Sequence, residues 1–456
     1  MTTFPNWISN APRRKSWAHL AWPDFSNWTK RGDVMVILPL CPLVKAGGQL
    51  LGHAEHAGGD FLAKALAILG DEAPVLVLPP LRHLPSLGGK SVLPVPYSLA
   101  HAMVLSIAGQ LREQGFGKLV LWSPLHACKP FAAAVAIDAR ERHGLSTYIL
   151  SPVRDLGEHT SQGAAAHAET ASHLREISAH RPGASTVSAP TRFPSPVGAG
   201  SLQPGTLLAR RLDTLDESGI EGVKGSLVLV PFGAIEQHGR HLPVGVDSIL
   251  GQAFLAQLCP HIPPRENVLV APAVTIGKSN EHAGWPGTLS IDAPMLLELA
   301  VCTARGLSAL GARRIRFFNT HGGNTAVLAS AVHELESAGI DVGMLVAPFR
   351  PTLSPQENAW GMHADEWETS LMLACAGDLV DMGRAVAEYP HTLEATGALA
   401  PERSAATFAW LTSDLSRSGV MGDPLPSTAA KGAAWLLEEG RSLASVVLPL
   451  CTSETT

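Results

Sequence analysis

Two short stretches of this chain concentrate residue types that bind cations. One is Glu236-Gln237-His238-Gly239-Arg240-His241, which follows an apolar run and leads on to Asp247; the other is Asn319-Thr320-His321-Gly322-Gly323-Asn324. In a segment that stays extended, side chains alternate with a period of two, so Glu236 and His238 share a face and enter one pocket. Asp247, returning from the following loop, can bridge two cations, because its two oxygens can bind different ions. His321 adds a nitrogen ligand. This mixed oxygen and nitrogen set suits Zn, Mn or Fe(II).

A third stretch, His363-Ala364-Asp365-Glu366-Trp367-Glu368-Thr369-Ser370, opens a helical run and sets Glu368 in or near its first turn. The fourth, Gly277 to Thr288, reads as a substrate-lining loop that includes Ser279, His282 and Trp285. Trp360 is a further candidate for the pocket wall. The Gly322-Gly323 pair permits a tight turn and leaves helical N–H groups open to a substrate oxygen. Glu281, His282, Asp365 and Glu366 read as hydrogen-bonding or surface residues rather than ligands. A single histidine beside a strand is ordinarily structural; Glu, His and Asp recurring at predicted strand ends is what points to a metal.

The elements that position these residues occur twice along the chain. Asp33 to Pro39 and Ser226 to Pro231 are β-rich apolar runs, each followed by a second, Pro74 to Pro79 and Asn267 to Pro272. Amphipathic helical stretches come next, Tyr97 to Gln114 and Ala293 to Leu310, and then strands leading to His126 and to His321. Short strands alternating with helices predict an α/β fold, with a mainly parallel sheet flanked by helices in each half. In such sheets ligands bind beyond the carboxyl ends of the strands. A Pro, Ser, Gly and Ala-rich stretch reads as a linker over 183–204, which divides the chain into domains 1–182 and 205–456.

The motifs of the second half resemble those of the creatininase, or creatinine amidohydrolase, family. They are Gly233 to Gly239 with His241-Leu242-Pro243 and Asp247; Ser279, Glu281, His282 and Pro286-Gly287-Thr288; Asn319 and His321 to Asn324; His363-Ala364 and Glu368-Thr369-Ser370; and Gly419-Val420 with Gly422-Asp423-Pro424. The resemblance implies two tandem creatininase-like domains and a binuclear centre that hydrolyses amide C–N bonds. It assigns Glu236, Asp247 and His321 to one ion, and His238 with Asp247 to the other. Creatininase itself carries a ligating glutamate two residues after the motif histidine, where this chain has Gly323. The chain is thus more similar to the family's His-Gly-Gly-Asn branch, which includes formamide hydrolases and a peptide-trimming enzyme. Glu368 is the candidate for the missing ligand or, instead, for a general base, and His363 is the candidate proton shuttle to the leaving nitrogen.

With Pro39 set against Pro231, Val44, Ala46 and Glu55 fall opposite Glu236, His238 and Asp247, and His126 falls opposite His321. The first half therefore reads as a degenerate copy that acts as a structural partner. The family's common assembly as hexamers built from dimers implies a homo-oligomer, such as a trimer of this fused pseudo-dimer.

Length and composition fit this reading. A chain of 456 residues with 46% hydrophobic and 16% charged residues is expected to form two globular domains. A net charge of -6 gives no reason to expect a nucleic-acid or anionic-membrane partner. No signal peptide or membrane-spanning run is evident, so a cytoplasmic protein is expected. Six cysteines without CxxC pairs read as buried thiols. The expected activity is metal-dependent hydrolysis of a small cyclic, N-acyl or formamide substrate. The rival readings are a metallopeptidase trimming a short peptide and a non-catalytic scaffold.

Overall fold

The computed structural model describes residues 13–26, 28, 30–45, 49–86, 88–152, 164–180, 206–390, 399–400, 406–407 and 409–452. The expected linker, 183–204, and Ala46 lie outside the described residues.

The first half contains β1 (Met35–Pro39), α1 (His53–Leu69), β2 (Val75–Val77), α2 (Tyr97–Glu113), β3 (Lys118–Trp122), α3 (Lys129–His143), β4 (Ser146–Leu150) and α4 (Ala164–Ala179). The second contains β5 (Leu227–Phe232), α5 (Val246–Leu258), β6 (Val268–Val270), α6 (Ala293–Ala309), β7 (Arg314–Asn319), α7 (Thr325–Ser337), β8 (Val342–Leu345), α8 (Pro355–Trp360), α9 (Glu366–Ala376) and α10 (Ala429–Thr452). Each half builds one four-stranded sheet, in the orders β2-β1-β3-β4 and β6-β5-β7-β8. Every pairing within the two sheets is parallel, which requires crossovers and therefore helices on the faces. The expected α/β fold is the one observed. Strands β1, β3 and β5 are buried along their whole length, as apolar runs covered on both faces must be.

The halves share a core. One continuous apolar cluster includes Val36, Leu38 and Leu121 of the first sheet and Val228, Val230 and Phe317 of the second. Between the halves, the Gln110 amide donates to the Ser290 carbonyl (2.6 Å) and accepts from the Ser290 N–H (2.7 Å). Gln114 makes the same kind of exchange with Thr288 O (2.9 Å) and Gly287 N (2.8 Å). These bonds reach the loop expected to line a site, so the first half braces it.

The segment before β1 also crosses to the second half. Leu20 O accepts from Val244 N (2.8 Å) and Ala18 O from Gly245 N (3.0 Å), just before Asp247 at the start of α5. Trp17 Nε1 donates to Gly287 O (2.8 Å).

Strand register corrects one expectation. Trp122 pairs with Pro39, and Phe318 with Pro231, so Leu125 and not His126 stands opposite His321. His126 lies four residues past Trp122, whereas His321 lies three past Phe318. His126 opens a short helical turn, and its Nε2 lies 3.0 Å from Pro152 O. Glu55, opposite Asp247, is gripped by Arg82 through Nε (2.6 Å) and Nη2 (2.7 Å), and both side chains are buried. Arg82 Nη1 also donates to Ala273 O of the second half (3.1 Å).

A buried pair that loses one partner leaves an uncompensated charge, typically at a cost of about 3–5 kcal/mol. Arg82→Met is expected to lower the denaturation midpoint by an amount of that order, and adding Glu55→Leu to recover much of the loss. Urea denaturation of both variants, each compared with the parent, checks this.

Candidate metal centre

The second sheet delivers its polar residues to one place because β5 and β7 are adjacent and parallel. The loop after β5 carries Glu236 and His238 and runs straight into α5, whose second residue is Asp247. His321 follows β7 as the residue before a short helical turn at Gly322–Asn324. Glu368 comes from the first turn of α9, which is capped by Asp365 accepting from Glu368 N (3.0 Å).

These five side chains converge. Glu236, Asp247 and His321 each offer a ligand atom within 4.8 Å of the others, and so do His238, Asp247 and Glu368. Asp247 belongs to both groups. His238 Nε2 lies 3.7 Å from Asp247 Oδ1 and 3.8 Å from Glu368 Oε2. His321 Nδ1 lies 3.2 Å from Glu236 Oε2 and 3.6 Å from Asp247 Oδ2. The far nitrogens are spent on backbone carbonyls: His238 Nδ1 donates to Glu236 O (3.0 Å) and His321 Nε2 to Lys278 O (2.8 Å). A carbonyl can only accept, so in the neutral ring the other nitrogen presents a lone pair to the centre.

The remaining expected residues fall into two sets. His363 and His282 are buried at the centre, their Nδ1 and Nε2 atoms 3.7 and 3.6 Å from Glu236 Oε1. Ser279 is fully buried and donates its hydroxyl to Glu236, so it holds the carboxylate instead of facing a substrate freely. Gly322 and Gly323 form the turn after His321, with open space beside Gly322. Trp285 is half-buried with its ring edge-on to Trp22 of the first half (5.3 Å). Trp360 ends α8 at the surface, 37% exposed.

The charges of the cluster act strongly on one another. Burial works against ionisation of Glu236, yet His282, His321 and His363 outweigh it and hold the carboxyl well below its usual range. Burial and the neighbouring Glu236 charge push Asp247 up to about 6. Burial disfavours charge on His238 and His321 as well, but the surrounding carboxylates pull both upward. Burial, with His238 and His282 beside it, drives His363 down to about 3 and keeps it neutral. Two buried atoms, His238 Nε2 and Asp247 Oδ2, have no hydrogen-bond partner in the protein. Unpaired buried polar atoms fit divalent ions, and the oxygen and nitrogen donors suit Zn, Mn or Fe.

Glu281, expected to be a hydrogen-bonding or surface residue, bonds beside the centre. Its Oε1 lies 3.3 Å from His321 Nε2, its Oε2 accepts from Lys278 Nζ (3.1 Å), and a Cβ built on Gly323 would fall 1.9 Å from Oε1. The glycine at 323 thus makes room for a carboxylate that orients His321. The adjacent acid and histidine in Glu281-His282 were the available signal.

Residues 215–447 match the family model described as creatininase, creatinine amidohydrolase. A mycofactocin precursor peptide peptidase of Mycolicibacterium smegmatis is 36% identical over 208 residues, covering 45% of this chain and 78% of that protein. A creatinine amidohydrolase of Pseudomonas putida is 34% identical over 187 residues, covering 36% of this chain and 70% of that protein. A crystal structure of creatinine amidohydrolase (creatininase) aligns at 24% identity and a TM-score of 0.44 over 54% of this chain and 99% of that one.

Partners that orient a ligating histidine commonly contribute about 10- to 100-fold to metal affinity. Glu281→Gln is therefore expected to weaken Zn binding by roughly 10-fold, and Gly323→Ala, which displaces the same carboxylate, to act in the same direction. Competition with a chromophoric chelator measures both; parent-like affinity in the two variants would show that Glu281 does not orient a ligand.

Proposed function

Because the chain belongs to the creatininase family, a family of hydrolases, we propose that it hydrolyses an amide C–N bond with the aid of two divalent cations. Glu236, Asp247 and His321 would hold one cation; His238, Asp247 and Glu368 would hold the other. The observation that carries this reading is the pair of three-residue groups sharing Asp247, with His238 Nε2 and Asp247 Oδ2 buried and unpartnered. When bound, such ions lower the pKa of water and polarise a carbonyl oxygen.

The chain's own residues then supply the proton path. Neutral His363 donates from Nε2 to Gln237 O (2.6 Å), which leaves its Nδ1 lone pair facing the centre. We assign Nδ1 to take a proton from the attacking water and return it to the leaving nitrogen as the C–N bond breaks. Glu368 accepts from Ala364 N (2.6 Å), which fixes its carboxylate for metal binding. Ser279 holds Glu236 in place.

The substrate is a small amide or a short peptide. A cyclic or N-acyl amide accords with the Pseudomonas putida relative's name, and a peptide with that of the mycobacterial relative. Glycine at 323, where creatininase carries a ligating glutamate, favours a substrate other than creatinine. We further read the halves as tandem copies, with domains 1–182 and 205–456 and a single centre in the second. A trimer of such pseudo-dimers would preserve the assembly the family resemblance implies.

Asp247→Ala is expected to lose bound metal and to lower turnover by at least about 1,000-fold, since it removes a ligand common to both groups. His363→Ala should retain metal and lose about 100-fold in kcat. Elemental analysis, with a screen of creatinine, formamides and short peptides, reads both effects. A metal-free Asp247→Ala variant with full activity would sink the proposal.

A further inference from the structure

Four histidines, His238, His282, His321 and His363, face the centre, and the atoms behind them decide what each one presents. Backbone carbonyls stand behind three: Glu236 O behind His238, Lys278 O behind His321 and Gln237 O behind His363. Each neutral ring must donate to its carbonyl, so each turns a lone pair inward. His282 is different. Its Nδ1 lies 3.0 Å from the Gln237 side-chain nitrogen, Nε2.

The orientation of that amide is fixed by the backbone. Gln237 Oε1 accepts from Gly239 N (2.9 Å), and Gln237 Nε2 donates to Gly419 O (3.0 Å). Exchanging oxygen and nitrogen would oppose donor to donor and acceptor to acceptor in both contacts. The second amide hydrogen therefore points at His282 Nδ1, which must accept it. Thr412 Oγ1 also lies 2.9 Å from this nitrogen, but its hydroxyl donates to Glu281 O (3.1 Å), so the Gln237 amide is the donor that sets the tautomer. His282 accordingly carries its proton on Nε2 and turns an N–H inward. Glu236 Oε1 is 3.6 Å away, beyond hydrogen-bond length, so this carboxylate does not consume the donor. Gln237 is fully buried, and a Cβ at Gly419 would fall 2.0 Å from its Oε1, so the amide has no room to turn.

We propose that Gln237 locks His282 and His363 into opposite tautomers, its side chain setting one and its carbonyl the other, and that the His282 N–H binds the carbonyl oxygen of the substrate. This rests on the hydrolase reading above. In that site His282 is a neutral donor aimed at an oxygen that gains negative charge during the reaction, and His363 is an acceptor. A nitrogen bearing a proton cannot ligate a metal, so His282 is excluded as a ligand although it stands beside Glu236 and Glu281. Gln237 touches no substrate and acts as a positioning residue.

The test uses the zinc-loaded full chain with 15N-labelled histidine. Long-range proton–nitrogen spectra, with His282 assigned by the signal lost in His282→Gln, should show His282 protonated on Nε2 with a bare Nδ1. Gln237→Glu keeps the size of the side chain but replaces the donor with an acceptor; it should move the His282 proton to Nδ1 and leave two equivalents of zinc bound. A parent His282 protonated on Nδ1, or no movement in Gln237→Glu, overturns the lock. Titration with acetohydroxamate, a small amide-like chelator, tests the donor. His282→Leu should weaken its binding by about 10-fold or more while His282→Gln, which keeps an N–H, stays within about 3-fold. Equal binding by the parent and both variants overturns the donor role. Failure of the zinc-loaded parent to bind acetohydroxamate would count against the hydrolase reading, whereas the spectra judge the lock on their own.

Discussion

The constraint on which the second half depends is the gathering of three carboxylates, the buried Glu236 and Asp247 and the half-buried Glu368, within reach of the same histidine, His238. Like charges so close in a poorly hydrated site repel, and each has also lost hydration. Positive charge must be present nearby. In the protein alone, that charge comes from histidines drawn above their usual range; two divalent ions would answer the same need more fully, leaving His238 and His321 neutral as ligands. The surroundings make sense from this starting point: Ser279 on Glu236, Ala364 N on Glu368 and carbonyls behind the rings each fix an atom that would otherwise be pushed aside.

The first half meets a smaller version of the problem differently. Glu55 receives a guanidinium, a cation tethered to the chain. An arginine fork satisfies both carboxylate oxygens at once but offers no open coordination position and no acidified water. The first half thus holds a buried ion pair, where the second gathers candidate metal ligands. The first half also braces that site: Arg82 reaches Ala273 O, and Gln110 and Gln114 hold the loop carrying Ser279, Glu281 and His282.

Much of this was legible in the sequence because parallel sheets place chemistry at the carboxyl ends of strands, and each strand announces itself as an apolar run. Glu236, His238, Asp247 and His321 could be picked out by position, and Glu368 by its place at the start of a helix. What could not be read was which way each side chain turns. Ser279 looked like a substrate contact, but its hydroxyl goes to Glu236. His126 looked like the partner of His321 until strand pairing shifted the count by one. Trp22 gave no local signal, since its contacts with Trp285 and Arg240 depend on a crossing between halves that hydropathy does not encode.

The exchange between positions 281 and 323 shows how such a site can change chemistry without changing its frame. The space beside Gly323 holds the Glu281 carboxylate, so an acid at 323 and this placement of Glu281 exclude one another. With glycine at 323, the carboxylate nearest His321 Nε2 acts from behind the ring, and the second ligand group draws its acid from the start of α9 instead. The number of acids at the centre is maintained while the loop that supplies one of them changes. The side of the site next to Gly322 is open, since a Cβ there would meet no atom within 4 Å.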